Sequence, residues 1–217
     1  MHDPPYLSLL LTAVEAAATI AFALSGLIEA ARKRLDAVGV CMVAGLTAFG
    51  GGTLRDVLLD RRPFFWVEHA AWLWVLLALC IAAMLVLRAR HFALTERAMQ
   101  WPDALGLGLF SASGTQLALS QELPAIVAVL MGVVTAAFGG VLRDIVCNEI
   151  PRAFKDQQPY AVCAFARGWV VVGAQALGLQ DGWSMLAGAA VGSGLRAMAM
   201  LSGVRLPQWS SGGDTGP

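Results

Sequence analysis

An internal repeat constrains the fold of this chain more than any other feature of its sequence. The stretch TAFGGGTLRD at residues 47–56 returns as TAAFGGVLRD at residues 135–144, after a shift of 88 residues. The same ungapped shift aligns further identical residues, namely Phe22 with Phe110, Ser25 with Ser113, Gly26 with Gly114 and Pro63 with Pro151. Self-similarity at a fixed period indicates duplication of one structural unit, so the two halves are expected to share a fold.

The composition is that of an integral membrane protein. Hydrophobic residues make up 58% of the chain and charged residues only 14%, whereas an ordinary soluble domain is about one quarter charged. The formal net charge is zero, so no excess of either sign indicates a nucleic acid or an acidic partner. The four cysteines lie in apolar segments without the spacing of a metal site, which predicts buried free thiols.

Seven apolar segments are each close to the length that crosses a bilayer, about 20 residues. They lie at residues 6–30, 37–59, 70–87, 104–120, 124–147, 160–177 and 182–202. The predicted fold is an all-α integral membrane protein with a single transmembrane domain over residues 1–203. Residues 204–217 are polar and are predicted to be a disordered tail. Because the first segment carries Glu15 and exceeds the short apolar core of a signal peptide, we expect it to remain in the mature protein.

The repeat divides these segments into two units and a remainder. Repeat one covers about residues 6–88, repeat two about residues 103–177, and the seventh helix, at about residues 182–202, has no counterpart. Because each unit contains three crossings, an odd number, the second unit enters the membrane from the opposite side and the repeats are inverted. The loops on one side carry most of the basic residues, which predicts an N-terminus outside and a C-terminus in the cytoplasm.

The glycine motif is the predicted functional centre of each repeat. A glycine costs a helix about 1 kcal/mol relative to alanine, so the run from Gly50 to Gly52 is expected to open or kink the second helix. Two symmetric breaks would meet near the midplane, where transporters and channels bind ions or substrates. The predicted path residues are Thr47, Phe49, Gly50, Gly51, Gly52, Thr135, Phe138, Gly139 and Gly140. Close packing of membrane helices at the glycines is the alternative.

Two residue types beside the glycines have predicted roles in this path. The hydroxyls of Thr47 and Thr135 add oxygen ligands about one helical turn before each break. Phe49 and Phe138 immediately precede the glycines and are candidates for apolar constrictions that gate by dewetting, with ordinary packing as the alternative.

Each motif ends in an arginine and an aspartate at membrane depth, where a charge is costly unless it is paired or hydrated. Symmetry predicts ion pairs across the repeats, Arg55 with Asp144 and Arg143 with Asp56. These pairs would form a charged latch between the second and fifth helices. A purely structural pairing is the alternative.

Other polar residues in the apolar segments are weaker candidates, and they are Glu15, Ser25, Ser113, Arg167 and Arg196. The 88-residue shift aligns Glu15 with Asp103, and Glu15 is a candidate for the ion path, with a hydrogen bond to a neighbouring helix as the alternative. Arg167 and Arg196 have no partner nearby in sequence. They are assigned to a vestibule or to contact with lipid phosphate, with snorkelling as the alternative for Arg196.

The sequence carries no constellation typical of catalysis or of a structural metal. Its three histidines lie in loops or at the terminus, away from any nucleophile. The glycine run is not followed by the Gly-Lys-Ser/Thr of a phosphate-binding loop. We therefore expect neither an enzyme nor an ATP-driven pump, and no cofactor.

The motifs FGGGTLRD and FGGVLRD resemble those of the prokaryotic branch of the trimeric intracellular cation (TRIC) channel family, which overlaps bacterial membrane proteins of the glycine-transporter type. The resemblance covers nearly the whole chain. It implies a homotrimer in the inner membrane of a bacterium or archaeon, with membrane lipid as its other partner. It also implies one pore per subunit, bounded by the Gly-kinked second and fifth helices and conducting monovalent cations, chiefly K⁺ or else Na⁺. The shift aligns Gly50 with Phe138, so the second motif has one glycine fewer and the two halves of the path are not strictly equivalent.

Three functional hypotheses follow. The first is a passive monovalent cation channel, in which carbonyls and hydroxyls at the glycine breaks replace part of the hydration shell of the ion. The second is a secondary transporter of a small zwitterion such as glycine, whose carboxylate and ammonium would bind the arginines and aspartates. The third is a membrane scaffold without transport activity, which leaves the repeated glycines and charges unexplained.

Overall fold

The structure is a computed structural model that describes residues 5–89, 96–155 and 160–202, and in these residues all regular structure is helical. The helices are α1 Pro5–Arg32, α2 Ala37–Leu58, α3 Phe65–Glu68, α4 Ala71–Ala89, α5 Glu96–Ser120, α6 Ala125–Val146, α7 Arg152–Lys155, α8 Tyr160–Ala176 and α9 Asp181–Ser202. The prediction of an all-α fold is confirmed. The predicted disordered tail lies outside the described residues.

Long helices occupy all the segments that the sequence predicts, and two short helices are added to them. α3 and α7 are single turns that follow α2 and α6 at corresponding positions of the two repeats. The predicted segments miss both, because a four-residue helix has no measurable hydrophobic period. α5 begins at Glu96, about two turns before its predicted start, and includes Pro102 within the helix.

Three of the described helices are long and apolar enough to cross a membrane by length and composition, namely Leu9–Arg32, Ala37–Leu58 and Ala125–Val146. A further stretch in α4, Ala71–Leu85, is apolar but shorter. α5 and α9 are less apolar because they carry polar side chains such as Gln116, Ser184 and Arg196, which are buried against other helices.

The helix ends reproduce the repeat at the level of the backbone. Arg34 after α1 and Glu122 after α5 both have positive φ, and so do Asp60 after α2 and Asn148 after α6. Each is followed by an amide that donates back across the last turn to a carbonyl five residues earlier, as Arg61 does to Asp56 at 2.8 Å. This is the Schellman termination of a helix, with a residue in the left-handed conformation after the last turn. The same helix termination therefore occurs at positions that the 88-residue shift aligns.

α1, α2, α5 and α6 pack against one another at the centre of the molecule, with α4 beside α1 and α2 and with α8 and α9 beside α5 and α6. Phe22 of α1 stacks on Phe110 of α5, with ring centroids 5.5 Å apart, and these are residues that the shift aligns. Equivalent residues thus meet in the core.

Candidate ion path and charge clasps

α2 and α6 cross in backbone contact at the two glycine motifs. A Cβ atom built on Gly51 would lie 2.0 Å from the carbonyl oxygen of Thr135, and one built on Gly139 would lie 2.3 Å from the carbonyl oxygen of Thr47. Real Cβ atoms never approach so closely, so only glycine fits on either side of the crossing. The contact is reciprocal, since each helix presents its glycine to the threonine carbonyl of the other.

The glycines do not open their helices. The backbone is helical throughout Ala37–Leu58 and Ala125–Val146, so the prediction of a break that frees carbonyl groups is wrong for this structure. The cost of glycine in a helix is offset because its missing side chain lets the two backbones touch. The alternative reading, close helix packing, describes what is observed.

The two threonines stand at this crossing and use their hydroxyls within their own helices. Thr47 Oγ1 donates to Val43 O, and Thr135 Oγ1 donates to Met131 O, both at 2.6 Å. Each hydroxyl oxygen also lies against a glycine of the adjacent helix, because a Cβ on Gly26 would be 2.7 Å from Thr47 Oγ1. The oxygens keep lone pairs that remain available as acceptors.

The remaining glycines of the two motifs face different surroundings in the two repeats. A Cβ on Gly52 would lie 2.3 Å from the ring of Phe65, which is fully buried. A Cβ on Gly140 would instead lie 3.0 Å from Tyr160 Oη and 3.5 Å from Asp103 Oδ1. The first repeat thus closes this position with an aromatic ring, and the second repeat surrounds it with polar groups.

The two phenylalanines predicted as gates lie on one side of the crossing. Phe49 is 9% exposed and its ring centroid lies 6.0 Å from that of Phe65 and 6.2 Å from that of Trp66. Phe138 is partly buried and lines the same open groove as Phe49, next to Gly50. Both residues pack at the surface of the α2–α6 pair, and their role as a gate stays a prediction.

Arg55 is completely buried between two carboxylates of its own repeat. Its Nη1 atom lies 2.5 Å from Glu15 Oε1 on α1, and its Nη2 atom lies 2.8 Å from Asp56 Oδ1. The other oxygen of Asp56 accepts the backbone N–H of Phe65, at the start of α3, at 2.8 Å. We call Glu15, Arg55 and Asp56 the first charge clasp; it ties α1, α2 and α3 together.

The second repeat contains the same arrangement. Arg143 Nη1 lies 2.5 Å from Asp103 Oδ1 on α5, and Arg143 Nε lies 2.8 Å from Asp144 Oδ1. Asp144 Oδ2 accepts the backbone N–H of Arg152, at the start of α7, at 2.9 Å. We call Asp103, Arg143 and Asp144 the second charge clasp. Ser25 on α1 joins this clasp from the other repeat, because its Oγ atom accepts from Arg143 Nη1 at 2.6 Å and donates to Asp103 Oδ1 at 3.4 Å.

The predicted latch across the repeats is wrong in its partners. Among the described residues, Arg55 pairs with Glu15 rather than Asp144, and Arg143 pairs with Asp103 rather than Asp56. In each repeat the acid precedes its arginine by 40 residues and lies on the helix packed beside it. The alignment of Glu15 with Asp103 was the signal in the sequence, but it does not show that each acid is the partner of an arginine.

Ser25 and Ser113 offer a matched test of these contacts, since the one partner of Ser113 Oγ among the described residues is Phe110 O in its own helix, at 3.4 Å. Ser25→Ala removes a hydrogen bond to a buried charge, and we expect it to lower the free energy of unfolding by about 2 kcal/mol. Ser113→Ala should lower it by less, because it removes only a long hydrogen bond to a neutral carbonyl of its own helix. Tryptophan fluorescence during unfolding in detergent micelles measures both. Equal effects would contradict the contact with Arg143.

The turns after α1 and α6 meet at one end of the bundle. Lys33 forms an ion pair with Glu149, whose hydrogen bond raises the pKa of the lysine. Glu29 lies 2.6 Å from Arg32 and 4.0 Å from Arg152. These contacts join the end of α1 to the beginning of α7.

A family model described as "Glycine transporter" matches residues 12–89 and 100–176, one stretch in each repeat. The chain belongs to this family. A Vibrio cholerae relative named "UPF0126 membrane protein" is 35% identical over 82% of this chain and 74% of its own. The Escherichia coli "UPF0126 inner membrane protein YadS" is 34% identical over 67% of this chain and 70% of its own. This glycine-transporter family member is accordingly a membrane protein with helical spans.

Two solved structures similar to this family member are cation channels. One is the "TRIC trimeric intracellular cation channel orthologue from Rhodobacter sphaeroides", with a TM-score of 0.81, 30% identity, and coverage of 89% of this chain and 98% of the other. The second, from "Structural basis for conductance through TRIC cation channels", has a TM-score of 0.80, 30% identity, and coverage of 91% and 96%. The predicted resemblance to the prokaryotic TRIC family is confirmed.

Within the described residues no group of three or more histidine, cysteine or acidic side chains is placed to hold a metal ion. The acids of the two clasps are occupied by arginine. The similarity to solved cation channels implies permeant ions rather than a cofactor.

Proposed function

We propose that the protein is a monovalent cation channel that conducts K⁺, or else Na⁺. The observation that carries this proposal is the similarity, over almost the full length of both chains, to two solved TRIC cation channels at 30% identity. One of these is described as trimeric. By the same relationship we propose a homotrimer with one pore in each subunit, surrounded by lipid in the inner membrane of a bacterium or archaeon.

We propose that the long helices are seven spans in which α1 to α4 and α5 to α8 form inverted repeats. The reciprocal contacts of Gly51 and Gly139 support a two-fold relation between the repeats. The ion pair between Lys33 and Glu149 supports a topology with the turns after the first and fifth spans on one side. With the positive-inside rule, that side is cytoplasmic, and the N-terminus is outside.

The proposed ion path runs through the α2–α6 crossing, which is closed in this conformation because the two backbones touch. Each charge clasp holds its helices as one unit, so α1 with α2 and α5 with α6 would separate at the glycines during opening. The carbonyls and hydroxyls of Thr47 and Thr135 would then become ligands for the ion, with Phe49 and Phe138 at one side of the path. The clasp arginines hold the two units rigid in this proposal and do not close the path directly.

A second candidate function is secondary transport of a small zwitterion such as glycine, which the description of the matched family model favours. The clasp geometry argues against the arginines and aspartates of the two motifs as ligands of such a substrate. Arg55 and Arg143 each contact two carboxylates already, so a substrate carboxylate would have to displace one of them. Inverted repeats suit either function.

Recording of the purified protein in a planar bilayer under a K⁺ gradient tests the proposal. We expect discrete unitary currents that reverse near the K⁺ equilibrium potential, because a passive pore follows the gradient of its permeant ion. Replacing K⁺ by a large organic cation on both sides is the control and should abolish the currents. Silent bilayers together with saturable glycine uptake into proteoliposomes would reject the channel and favour the transporter.

A further inference from the structure

Two arginines in the α8–α9 pair are buried without a carboxylate partner in the described part of the chain. Arg167 on α8 is completely buried and Arg196 on α9 is 2% exposed. Neither forms a salt bridge with any residue that the structure describes, whereas Arg55 and Arg143, buried to the same degree, each contact two carboxylates. The proposed cation path leaves these two charges unexplained.

The two arginines lie on facing sides of α8 and α9. Arg167 Nη2 donates to the carbonyl oxygen of Gly192, and the arginine side chain lies flat on that glycine, where a Cβ would be 1.7 Å from Nε. Arg196 follows Gly192 by about one helical turn. Its guanidinium stands over the ring of Tyr160, with Cζ 5.1 Å from the ring centroid, and Tyr160 precedes Arg167 by about two turns on α8. The two cations are therefore neighbours at one helix interface.

Five polar atoms at this interface are buried and have no hydrogen-bond partner among the described residues. They are Nε and Nη1 of Arg167, Nε and Nη1 of Arg196, and Oη of Tyr160. Buried donors are normally satisfied, and a buried charge without a partner is more costly than a neutral group. In a membrane this cost is not relieved by bulk water. Among the described residues, these five atoms therefore have no hydrogen-bond partner, and neither arginine contacts a carboxylate.

We propose that the α8–α9 arginine pair binds an oxyanion, either the carboxylate of a small solute or the phosphate of a lipid headgroup. Two guanidinium groups present planar pairs of N–H donors, which match the oxygens of a carboxylate or phosphate better than a spherical ion does. The Tyr160 hydroxyl adds a donor at the side that faces Gly140. This site is separate from the proposed cation path, and its ligand supplies the counter-charge that the two arginines lack among the described residues.

The first test is thermal unfolding of the delipidated full chain in detergent, followed by tryptophan fluorescence in chloride buffer with and without inorganic phosphate or glycine. For wild type, a saturating oxyanion should raise the unfolding midpoint by about 5 °C. Arg167→Met and Arg196→Met should abolish this rise. Arg34→Met removes the same charge from an exposed turn, and this variant should still show the rise in the unfolding midpoint.

The sign of the effect in chloride alone distinguishes a binding site from a merely buried charge. Without an oxyanion, the methionine variants should unfold at a higher temperature than wild type, because an apolar side chain replaces an uncompensated buried charge. With a bound oxyanion, this advantage should disappear. If phosphate and glycine shift wild type and both methionine variants equally, the proposal is rejected.

Tyr160→Phe keeps both charges and is a second, milder variant in case the methionine variants do not fold. It should weaken oxyanion binding about tenfold, since it removes one hydrogen bond to a charged ligand. Native mass spectrometry before delipidation separates the two sources of the oxyanion. A phospholipid retained by wild type and Arg34→Met but lost from Arg196→Met indicates a lipid headgroup, and a response to free phosphate or glycine without retained lipid indicates a solute. If wild type neither retains a phospholipid nor responds to phosphate or glycine, the proposed site is rejected.

Discussion

Alanine at Gly51 or at Gly139 is expected to lower the free energy of unfolding by about 3 kcal/mol, because it overpacks a contact between two backbones. The added Cβ would lie 2.0 Å from Thr135 O in the first variant and 2.3 Å from Thr47 O in the second. The contacted atom is a carbonyl of a continuous helix, so α2 and α6 have to move apart as whole elements. Unfolding in detergent micelles, followed by tryptophan fluorescence, measures the loss.

Gly45→Ala is the matched control, because it lies in the same helix and its Cβ would be 3.5 Å from Leu76 Cδ2, an ordinary contact. This variant should be stabilised by up to about 1 kcal/mol through the helix propensity of alanine. The double variant Gly51→Ala with Gly139→Ala should lose less than the sum of the single variants, since one separation of the helices relieves both clashes. Unchanged stability of both single variants would show that α2 and α6 do not touch at this crossing.

Arg55→Met is expected to lower the free energy of unfolding by about 3–5 kcal/mol, because it leaves the buried carboxylate of Glu15 without its counter-ion and Asp56 with the more distant Arg61, 3.9 Å away. Adding Glu15→Gln should recover about 2–3 kcal/mol, because the uncompensated charge of Glu15 is then removed. The same micelle unfolding assay provides the four free energies of this double-mutant cycle.

The control cycle combines Arg55→Met with Asp144→Asn, the partner that repeat symmetry predicted. Asp144 contacts Arg143 and the amide of Arg152, so its loss should add to that of Arg55→Met within about 0.5 kcal/mol. A large coupling in this cycle, with none between Arg55 and Glu15, would reject the first charge clasp and restore the latch across the repeats.

The two repeats share a clasp but differ around it. In the first repeat, the fully buried ring of Phe65 covers Gly52 and lies 5.4 Å from the guanidinium carbon of Arg55. In the second, Gly140 faces the hydroxyl of Tyr160 and the carboxylate of Asp103. The duplicated core therefore carries an aromatic side and a polar side, and the proposed oxyanion site adjoins the polar side.

Much of the fold follows from patterns that act locally. The apolar segments predicted the long helices because about 20 apolar residues form one element regardless of their neighbours. The repeat of the glycine motif correctly indicated that α2 and α6 are equivalent elements, and the same motif carried the resemblance to TRIC channels that the comparisons confirm. The long helices and the family could be predicted because both depend on patterns within short stretches of sequence.

The role of the glycines could not be predicted from local sequence patterns. Helix propensity alone predicts that Gly50, Gly51 and Gly52 weaken α2, and the structure shows an unbroken helix there. The difference arises because the energy of a helix includes what packs on it, and the partner of Gly51 is a carbonyl more than 80 residues away in the chain. Helix propensity describes a residue within its own helix and does not include contacts with such a distant partner.

The long helices, their duplication, the family and most of the buried charged residues, though not Glu29, could thus be predicted from the sequence. The pairing of each acid with its arginine depends on how the helices pack, since both Glu15 and Asp144 are possible partners of Arg55 until α1 is placed beside α2. Packing also leaves Arg167 and Arg196 with N–H donors that find no acceptor in the described part of the chain. Charge and burial can be read from composition and periodicity, but the pairing of charges depends on distances of a few ångströms that packing alone sets.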